Sequence, residues 1–147
     1  MIINFTQHKA TEEQRAEGVV DYNEALQMYV EYLEETGGDT EDFLTRMPST
    51  LEDILTFEEL PYDLEPLHRA RQLANIAKLL DQNSEQPIQV MIGGAPFLMA
   101  PLQEELLRNG IQPVYAFSRR ESVEEVQEDG SVRKSSVFKH IGFVYGL

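Results

Sequence analysis

The sequence predicts an α/β fold: a single domain with a small, mainly parallel sheet, flanking helices and a C-terminal β-hairpin extension. Ile88–Ile92 and Pro113–Phe117 are short apolar runs typical of buried strands, and a helical repeat of leucines separates them. A strand, a helix and a strand in such a short segment form a right-handed βαβ unit, whose two strands are parallel. The length of 147 residues fits one domain, and Asp129-Gly130 between two extended runs predicts a hairpin.

The N-terminal part of the chain adds two short strands and two helices. Ile2–Phe5 and Val19-Val20 are strand-like runs, and Thr11–Gln14 can cap a short helix between them. Asp21 precedes an amphipathic repeat and has an acidic residue three positions later, which is the spacing of a capping box. That helix is predicted to end at Gly37, because glycine favours the left-handed conformation of helix ends.

The segment 37–63 is acidic and contains two prolines, so we interpret it as short helices on a solvated surface and as a candidate insertion. Thr40 and Ser49 are its candidate N-caps. From Leu64 the apolar positions then repeat at three and four, which predicts a helix of about 18 residues.

The C-terminal third contains the helix of the βαβ unit and the hairpin. Pro101 lies within the leucine repeat and predicts either a kink or a helix that begins there. The hairpin extension covers residues 122–136, and a turn at Asp129-Gly130 would place Glu125 opposite Lys134.

Charge and cysteine content exclude several classes of function. Twelve Lys and Arg against 26 Asp and Glu give a net charge of −14, which argues against duplex nucleic acid as a partner. Residues 1–100 carry a balance of −13 and residues 101–147 only −1, so the C-terminal third is the better face for an anion. There is no cysteine, and the three histidines are dispersed, so we expect neither a metal site nor a cofactor.

The sequence also predicts a soluble cytoplasmic protein. The longest stretch of low charge, Val90–Leu102, is too short for a membrane span and contains glycine and proline. The first ten residues lack the basic and apolar regions of a secretion signal.

Polar and glycine-rich clusters follow three of the predicted strands. These clusters are Thr6-Gln7-His8, Gly93-Gly94-Ala95 and Ser118-Arg119-Arg120. In open α/β sheets, ligands bind beyond the carboxyl ends of parallel strands, where these clusters would meet. The glycines and the following helix N-terminus suit a phosphate, and Arg119 or Arg120 could grip it bidentately. Thr6, Gln7 and Ser118 could bind a sugar or base, and His8 could act as acid or base.

Each cluster also has a purely structural interpretation. Gly93-Gly94 lacks the glycine spacing of the dinucleotide motif and the lysine of the phosphate loop, so it can be only a tight turn. Arg119-Arg120 can be a solvated pair or a partner for Glu121, and His8 can cap the turn that follows it. His140, on the last strand, is better explained as a structural histidine than as a catalyst.

The N-terminal segment Asn4-Phe5-Thr6-Gln7-His8, with Thr11-x-x-Gln14 behind it, resembles the opening of small CRISPR-associated proteins of type III systems. These are Rossmann-like, CARF-like domains, and some of them are ring nucleases. The resemblance implies that Thr6, Gln7 and His8 line a pocket for a cyclic oligoadenylate, and that the ligand lies across a homodimer interface. It further implies metal-independent cleavage by a ribose 2′-hydroxyl. From the strand-end clusters we predict His8 and Arg119 as the catalytic residues, with His8 orienting the sugar and Arg119 holding the phosphate.

The sequence therefore predicts a protein that binds a phosphorylated nucleotide signal and either sequesters it or cleaves it slowly. The predicted site consists of the three clusters, with Gly93, Gly94 and Ala95 as the phosphate turn. The alternative is an acidic protein-interaction or inhibitor module from a mobile element, whose acidic N-terminal part would engage a basic protein.

Overall fold

The computed structural model describes residues 1–147 and contains one five-stranded sheet in the order β2-β1-β3-β4-β5. The strands are β1 (Ile2–Asn4), β2 (Val19–Asp21), β3 (Gln89–Met91), β4 (Gln112–Val126) and β5 (Val132–Tyr145). The first four strands run parallel, and β5 is antiparallel to β4. The predicted α/β class, the mainly parallel sheet and the C-terminal hairpin are therefore confirmed.

Six helices flank the sheet. They are α1 (Glu12–Ala16), α2 (Tyr22–Thr36), α3 (Thr40–Arg46), α4 (Glu52–Leu55), α5 (Glu65–Gln82) and α6 (Pro96–Arg108). The capping box of Thr11 and Gln14 at α1 and the left-handed Gly37 at the end of α2 are confirmed. None of the six combines the length and the apolar character that a membrane crossing requires.

The core lies between the sheet and the helices as one cluster of 25 buried residues. The strands β1 and β3 are only three residues long, but Ile3 and Val90 at their centres are fully buried. One face of α5 is apolar from Ala70 to Leu80, and the helix packs against α6 and α4. Both faces of these short strands are removed from water, which stabilises their position in the sheet. The loops at their ends are therefore held in place as well.

The segment 37–63 is not a solvated surface, as its acidic composition predicts, but part of the core. The helices α3 and α4 bury five apolar side chains: Phe43, Met47, Leu51, Ile54 and Leu55. Phe43 packs against Tyr29 of α2, with ring centroids 5.8 Å apart. The acidic residues face outward, so the average composition of the segment conceals its apolar face.

Asp21 is the N-cap of α2, as its position predicts, but its side chain makes no capping hydrogen bond, so the predicted capping box is absent. The other two predicted N-caps are wrong. The cap of α3 is Asp39 instead of Thr40, and α4 begins after Leu51 instead of Ser49. The helix α6 begins at Pro96, which lies in its first turn, and continues through Pro101. The helix therefore does not begin at Pro101.

The strand β4 is 15 residues long and does not end at Phe117. Ser118-Arg119-Arg120 therefore lies inside a strand, because β5 pairs with it as far as Val126. The turn contains five residues, since Gln127 N donates to Ser131 O and the Asp129 carboxylate accepts two hydrogen bonds from Ser131. As a result Glu125 lies opposite Arg133, one residue away from the predicted register.

Candidate functional site

The strand order creates a crevice between β1 and β3. From β1 the chain crosses to β2 on one side, and it later returns to β3 on the other side. In open α/β sheets of this strand order, the point where the direction of winding reverses is where ligands bind. The loops that follow β1 and β3 leave the sheet at this point in opposite directions.

A cleft of about 570 Å³ occupies the crevice. Its lining comes from the loop after β1 and the start of α1, from the turn between β3 and α6, and from β4. The residues are Thr6–Lys9, Thr11, Gln14, Met91–Ala95, Tyr115 and Ala116. The volume lies within the range of small-molecule sites, about 300–1,000 Å³.

The loop after β1 is shaped by the buried side chain of Asn4. Its Oδ1 accepts hydrogen bonds from Thr6 N at 2.8 Å and Thr6 Oγ1 at 2.7 Å. Its Nδ2 donates to His8 O at 2.7 Å and to Asp21 Oδ1 at 2.9 Å. Asn4 thus satisfies the polar groups of a sharp turn and holds Thr6 and His8 at the mouth of the cleft.

The carboxylate of Asp21 is fully engaged behind this loop. Its Oδ1 also accepts from Ala10 N at 2.9 Å, and its Oδ2 lies 2.5 Å from Arg15 Nη2. Arg15 pairs with Glu24 at 2.8 Å as well, and this hydrogen bond raises the pKa of Arg15. One guanidinium thus pairs with both carboxylates, which leaves the cluster one net negative charge, and it ties α1 to the start of α2.

The turn between β3 and α6 presents unpaired backbone donors. The N–H groups of Gly93, Gly94 and Ala95 make no hydrogen bond within the protein. Gly94 has φ +148°, a conformation that L side chains rarely adopt, so glycine is required there. A Cβ at Gly93 would lie 3.6 Å from Thr6 Cγ2, which shows how closely the two loops approach. No side chain caps α6, so the positive end of its dipole is also open.

The electrostatic character of the cleft differs from that of the protein. Its lining contains no Asp or Glu, although the chain carries a net charge of −14, and it includes His8 and Lys9. A second cleft of about 520 Å³ lies on the other side of the same loop and is lined by Asp21, Glu24 and Glu52. The two clefts share Thr6–Lys9, so they differ in their carboxylates, and of the two the crevice between β1 and β3 is the better suited to an anion.

Tyr115 forms part of the floor of the cleft. Its hydroxyl donates to Gln103 Oε1 at 2.8 Å, and burial raises its pKa. The phenol stays protonated at neutral pH and cannot serve as a base. His8 is the one imidazole of the lining, and imidazole is the side-chain type most often used for general acid–base chemistry.

The structure brings two of the three predicted clusters together. Thr6-Gln7-His8 and Gly93-Gly94-Ala95 line the same cleft, although the Gln7 amide turns away to donate to Leu55 O at 3.1 Å. Ser118, Arg119 and Arg120 are absent from the lining, because β4 carries them past the edge of the sheet. Arg119 lies 3.8 Å from Glu121, and Arg120 lies over the ring of Phe138.

Sequence reasoning missed several residues of the site. Lys9 and Gln14 line the cleft beside the predicted residues, and Asn4 and Tyr115 support it from below. Lys9 directly follows the predicted cluster, so extending that cluster by one residue would have found it. Asn4 begins the segment that resembles the CARF-like proteins, but it lies within a strand-like run, and the sequence predicts no role in the site for it.

His140 is a buried structural residue, in line with the sequence interpretation. Its side chain is 3% exposed and packs against Phe143, and Nε2 lies 3.3 Å from Glu17 Oε1. Its backbone N donates to Glu13 Oε2 at 3.1 Å. These contacts join β5 to α1, and His140 is not part of the lining of the cleft.

The fold and the cleft define a small α/β protein with an anion-compatible crevice at the switch point of its sheet. A family model described as Uncharacterized protein MJ1673 family matches residues 1–144, so the chain belongs to this family. No curated protein and no solved structure matches the chain. The resemblance to CARF-like proteins stays a prediction.

Proposed function

We propose that this protein binds a phosphorylated nucleotide in the crevice between β1 and β3. One observation carries the proposal: in a protein of net charge −14, the cleft at the switch point has no carboxylate in its lining and contains Lys9, His8 and three unpaired N–H groups. Carboxylates that line a cleft repel anions, so a lining without them favours the binding of a phosphate.

The phosphate is assigned to the turn between β3 and α6. The N–H groups of Gly93, Gly94 and Ala95 are free to donate, and the end of α6 adds about 0.3–1 kcal/mol for an anion. Lys9 lies on the opposite wall and makes no ion pair within the chain, so its ammonium is available to a phosphate oxygen.

The nucleoside is assigned to the wall that the loop after β1 provides. Thr6 and His8 present polar groups there, whereas Met91, Ile92 and Ala116 offer apolar contact for a base. A mixture of apolar surface and a few fixed polar groups is typical of small-molecule sites. The rigid loop, held by Asn4, lowers the entropic cost of binding.

Sequestration is the activity that this cleft supports best. Cleavage without a metal would require a ribose 2′-oxygen to attack the adjacent phosphorus, losing its proton as the 5′-oxygen leaves and gains one. The products would be a 2′,3′-cyclic phosphate and a 5′-hydroxyl. His8 is the one residue of the lining suited to either proton transfer, so any cleavage is expected to be slow.

Calorimetry against inorganic phosphate, adenosine mono- and triphosphates and cyclic oligoadenylates tests the proposal. We expect at least one nucleotide to bind, and Gly93→Asp to abolish binding because it places a carboxylate beside the unpaired N–H groups. Lys9→Ala should weaken binding about tenfold, since one charge-assisted contact is lost. Mass spectrometry of the ligand after long incubation with a chelator separates sequestration from cleavage.

Two matched variants serve as controls. Gly142→Asp makes the same change at a glycine that has no atom near its Cβ position and lies outside the cleft, and Lys78→Ala removes an exposed lysine of α5. Both should bind like the unmodified protein. The Arg119→Ala variant should also bind nucleotide normally. A loss of nucleotide binding in this variant would mean that Arg119 belongs to the site. If no phosphorylated nucleotide binds at millimolar concentration, the proposal fails.

A second candidate function is the acidic interaction module. The connection between α4 and α5 favours it, because Leu60 is 96% exposed, and Tyr62 and Leu64 are exposed as well. Glu58 and Glu59 directly precede them, and Asp63 lies between Tyr62 and Leu64, so the segment offers apolar and acidic groups to a basic protein. Binding of a basic protein that is lost at high salt, with no nucleotide binding, would favour this function.

A further inference from the structure

The part of β4 and β5 beyond Ala116, residues 117–142, forms a two-stranded arm outside the body of the sheet. On the side of β3, pairing of β4 ends at Val114, so the rest of this edge of β4 has no neighbouring strand. Two-stranded ribbons are marginal in water, and a long free edge is a template for another strand. The unpaired edge of β4 in the arm can therefore accept another strand.

The free edge of β4 has a charge pattern that is complementary to itself. Residues 119–125 are Arg-Arg-Glu-Ser-Val-Glu-Glu. If two copies pair antiparallel about Ser122, Arg119 lies opposite Glu125 of the second copy, and Arg120 lies opposite Glu124. The symmetry gives each pair twice, which makes four cross-strand pairs of opposite charge. Such pairs stabilise antiparallel strands, and directly opposed like charges destabilise them.

These four side chains are available for pairing with a second copy. Arg120 and Glu125 take part in no ion pair within the chain. Arg119 is 3.8 Å from Glu121, and Glu124 is 3.7 Å from Lys134, all on exposed side chains. Ion pairs of this length at the surface contribute little, so they would yield to a better partner.

The other edge of the arm does not have this property. Between Val132 and Tyr145, β5 carries Arg133, Lys134 and Lys139 and no acidic residue. Pairing of two β5 edges would bring like charges together and would be unfavourable. The charge pattern thus selects the edge of β4 over the edge of β5.

We propose that the arm is a dimerisation device, in which the β4 edges of two copies pair antiparallel about a two-fold axis at Ser122. The product is a four-stranded sheet with β4 of each copy at its centre, so each arm gains the neighbour it lacks. The contact is isologous, because the same surface is used by both copies, and it therefore closes at two. Arg119 and Arg120 then serve assembly rather than phosphate binding.

Sedimentation analysis of charge-reversal variants tests this arrangement. The unmodified chain should sediment with twice its mass of 16.8 kDa. The variant Arg119→Glu with Arg120→Glu should be monomeric, and so should Glu124→Arg with Glu125→Arg, because each places like charges opposite each other. An equal mixture of the two should form a heterodimer, and the variant that combines all four changes should form a homodimer again.

A matched pair of single substitutions tests which of the two edges of the arm forms the dimer. Arg119 and Lys139 lie directly opposite each other in the hairpin, one on each edge. Arg119→Glu should raise the dissociation constant of the dimer about tenfold, since two symmetry-related pairs change sign. Lys139→Glu should leave it unchanged.

Three results would overturn the proposal: a monomeric unmodified chain at its highest soluble concentration, a dimer that survives both double reversals, or a failure of complementary variants to associate. Far-ultraviolet circular dichroism establishes that each variant is folded. If one double reversal does not fold, the variant with all four changes restores the complementary pattern and decides the question by itself.

Discussion

Asn4 is a buried polar residue that connects the sheet to the cleft. Four hydrogen bonds join its side chain to Thr6, to the carbonyl of His8 and to Asp21. A buried polar group is stabilising only when its partners are present, and its removal leaves those partners unsatisfied. Asn4 therefore contributes both to stability and to the shape of the site, without contacting a ligand itself.

We expect Asn4→Ala to lower the free energy of unfolding by about 2 kcal/mol, because Thr6 N and His8 O lose a buried partner. It should also weaken nucleotide binding, because the loop after β1 loses its fixed shape. Urea denaturation measures the first effect, and calorimetry measures the second.

Asn23→Ala is the control for this variant. Asn23 is exposed in the first turn of α2 and makes no side-chain hydrogen bond, so its change should lie within about 0.5 kcal/mol. If Asn4→Ala were as stable as Asn23→Ala, the network around Asn4 would not hold the loop.

At the scale of single residues, the sequence predicts which residue types belong to the site better than it predicts their partners. Thr6 and His8 follow a strand end, and this position is enough to place them at the crevice. Asp21 occupies an N-cap position, yet its carboxylate binds Asn4, Ala10 and Arg15 instead of the helix. Local spacing cannot show this, because the competing partners come from other elements.

The helices α3 and α4 show how an acidic segment can carry part of the core. Phe43 is 5% exposed and packs against Tyr29, whereas its neighbour Leu44 is 49% exposed. The burial lies on one side of a short helix, and the acidic residues lie on the other.

We expect Phe43→Ala to lower the free energy of unfolding by about 3–5 kcal/mol, because it removes a buried ring and leaves a cavity. Leu44→Ala, on the same helix, should cost less than about 1 kcal/mol. Thermal and urea unfolding of both variants provide the measurement. Equally small losses of stability in the two variants would mean that this segment is dispensable, as an insertion would be.

The long hairpin marks a limit of prediction at the scale of elements. The core strands β1, β2 and β3 are apolar runs, so the sequence predicts them within one or two residues. The Asp129-Gly130 signal predicts the hairpin only over residues 122–136, and residues 118–121 (Ser-Arg-Arg-Glu) show no sign of a buried strand. They are a strand because β5 pairs with them, and pairing between distant segments leaves no local signal.

The whole molecule carries its charge unevenly, and this has a consequence for stability. Nineteen of the 26 acidic residues lie within residues 1–100, together with only six basic ones. The ion pairs of this region, such as those of Arg15 and Arg69, use only a few of these carboxylates. The remainder repel each other and destabilise the folded state, because folding brings them closer together.

We therefore expect the melting temperature at pH 7 to rise by about 2–4 °C between about 0.01 M and about 1 M sodium chloride, which corresponds to about 1 kcal/mol. Over this range the Debye length falls from about 30 Å to about 3 Å, so repulsion across the surface is screened. The same titration at pH 4.5, near the isoelectric point, is the control, because the net charge there is close to zero and the rise should be much smaller. An equal rise at both pH values would assign the effect to the salt rather than to repulsion. A fall at pH 7 would mean that the ion pairs outweigh the repulsion, and the acidic surface would then be a source of stability.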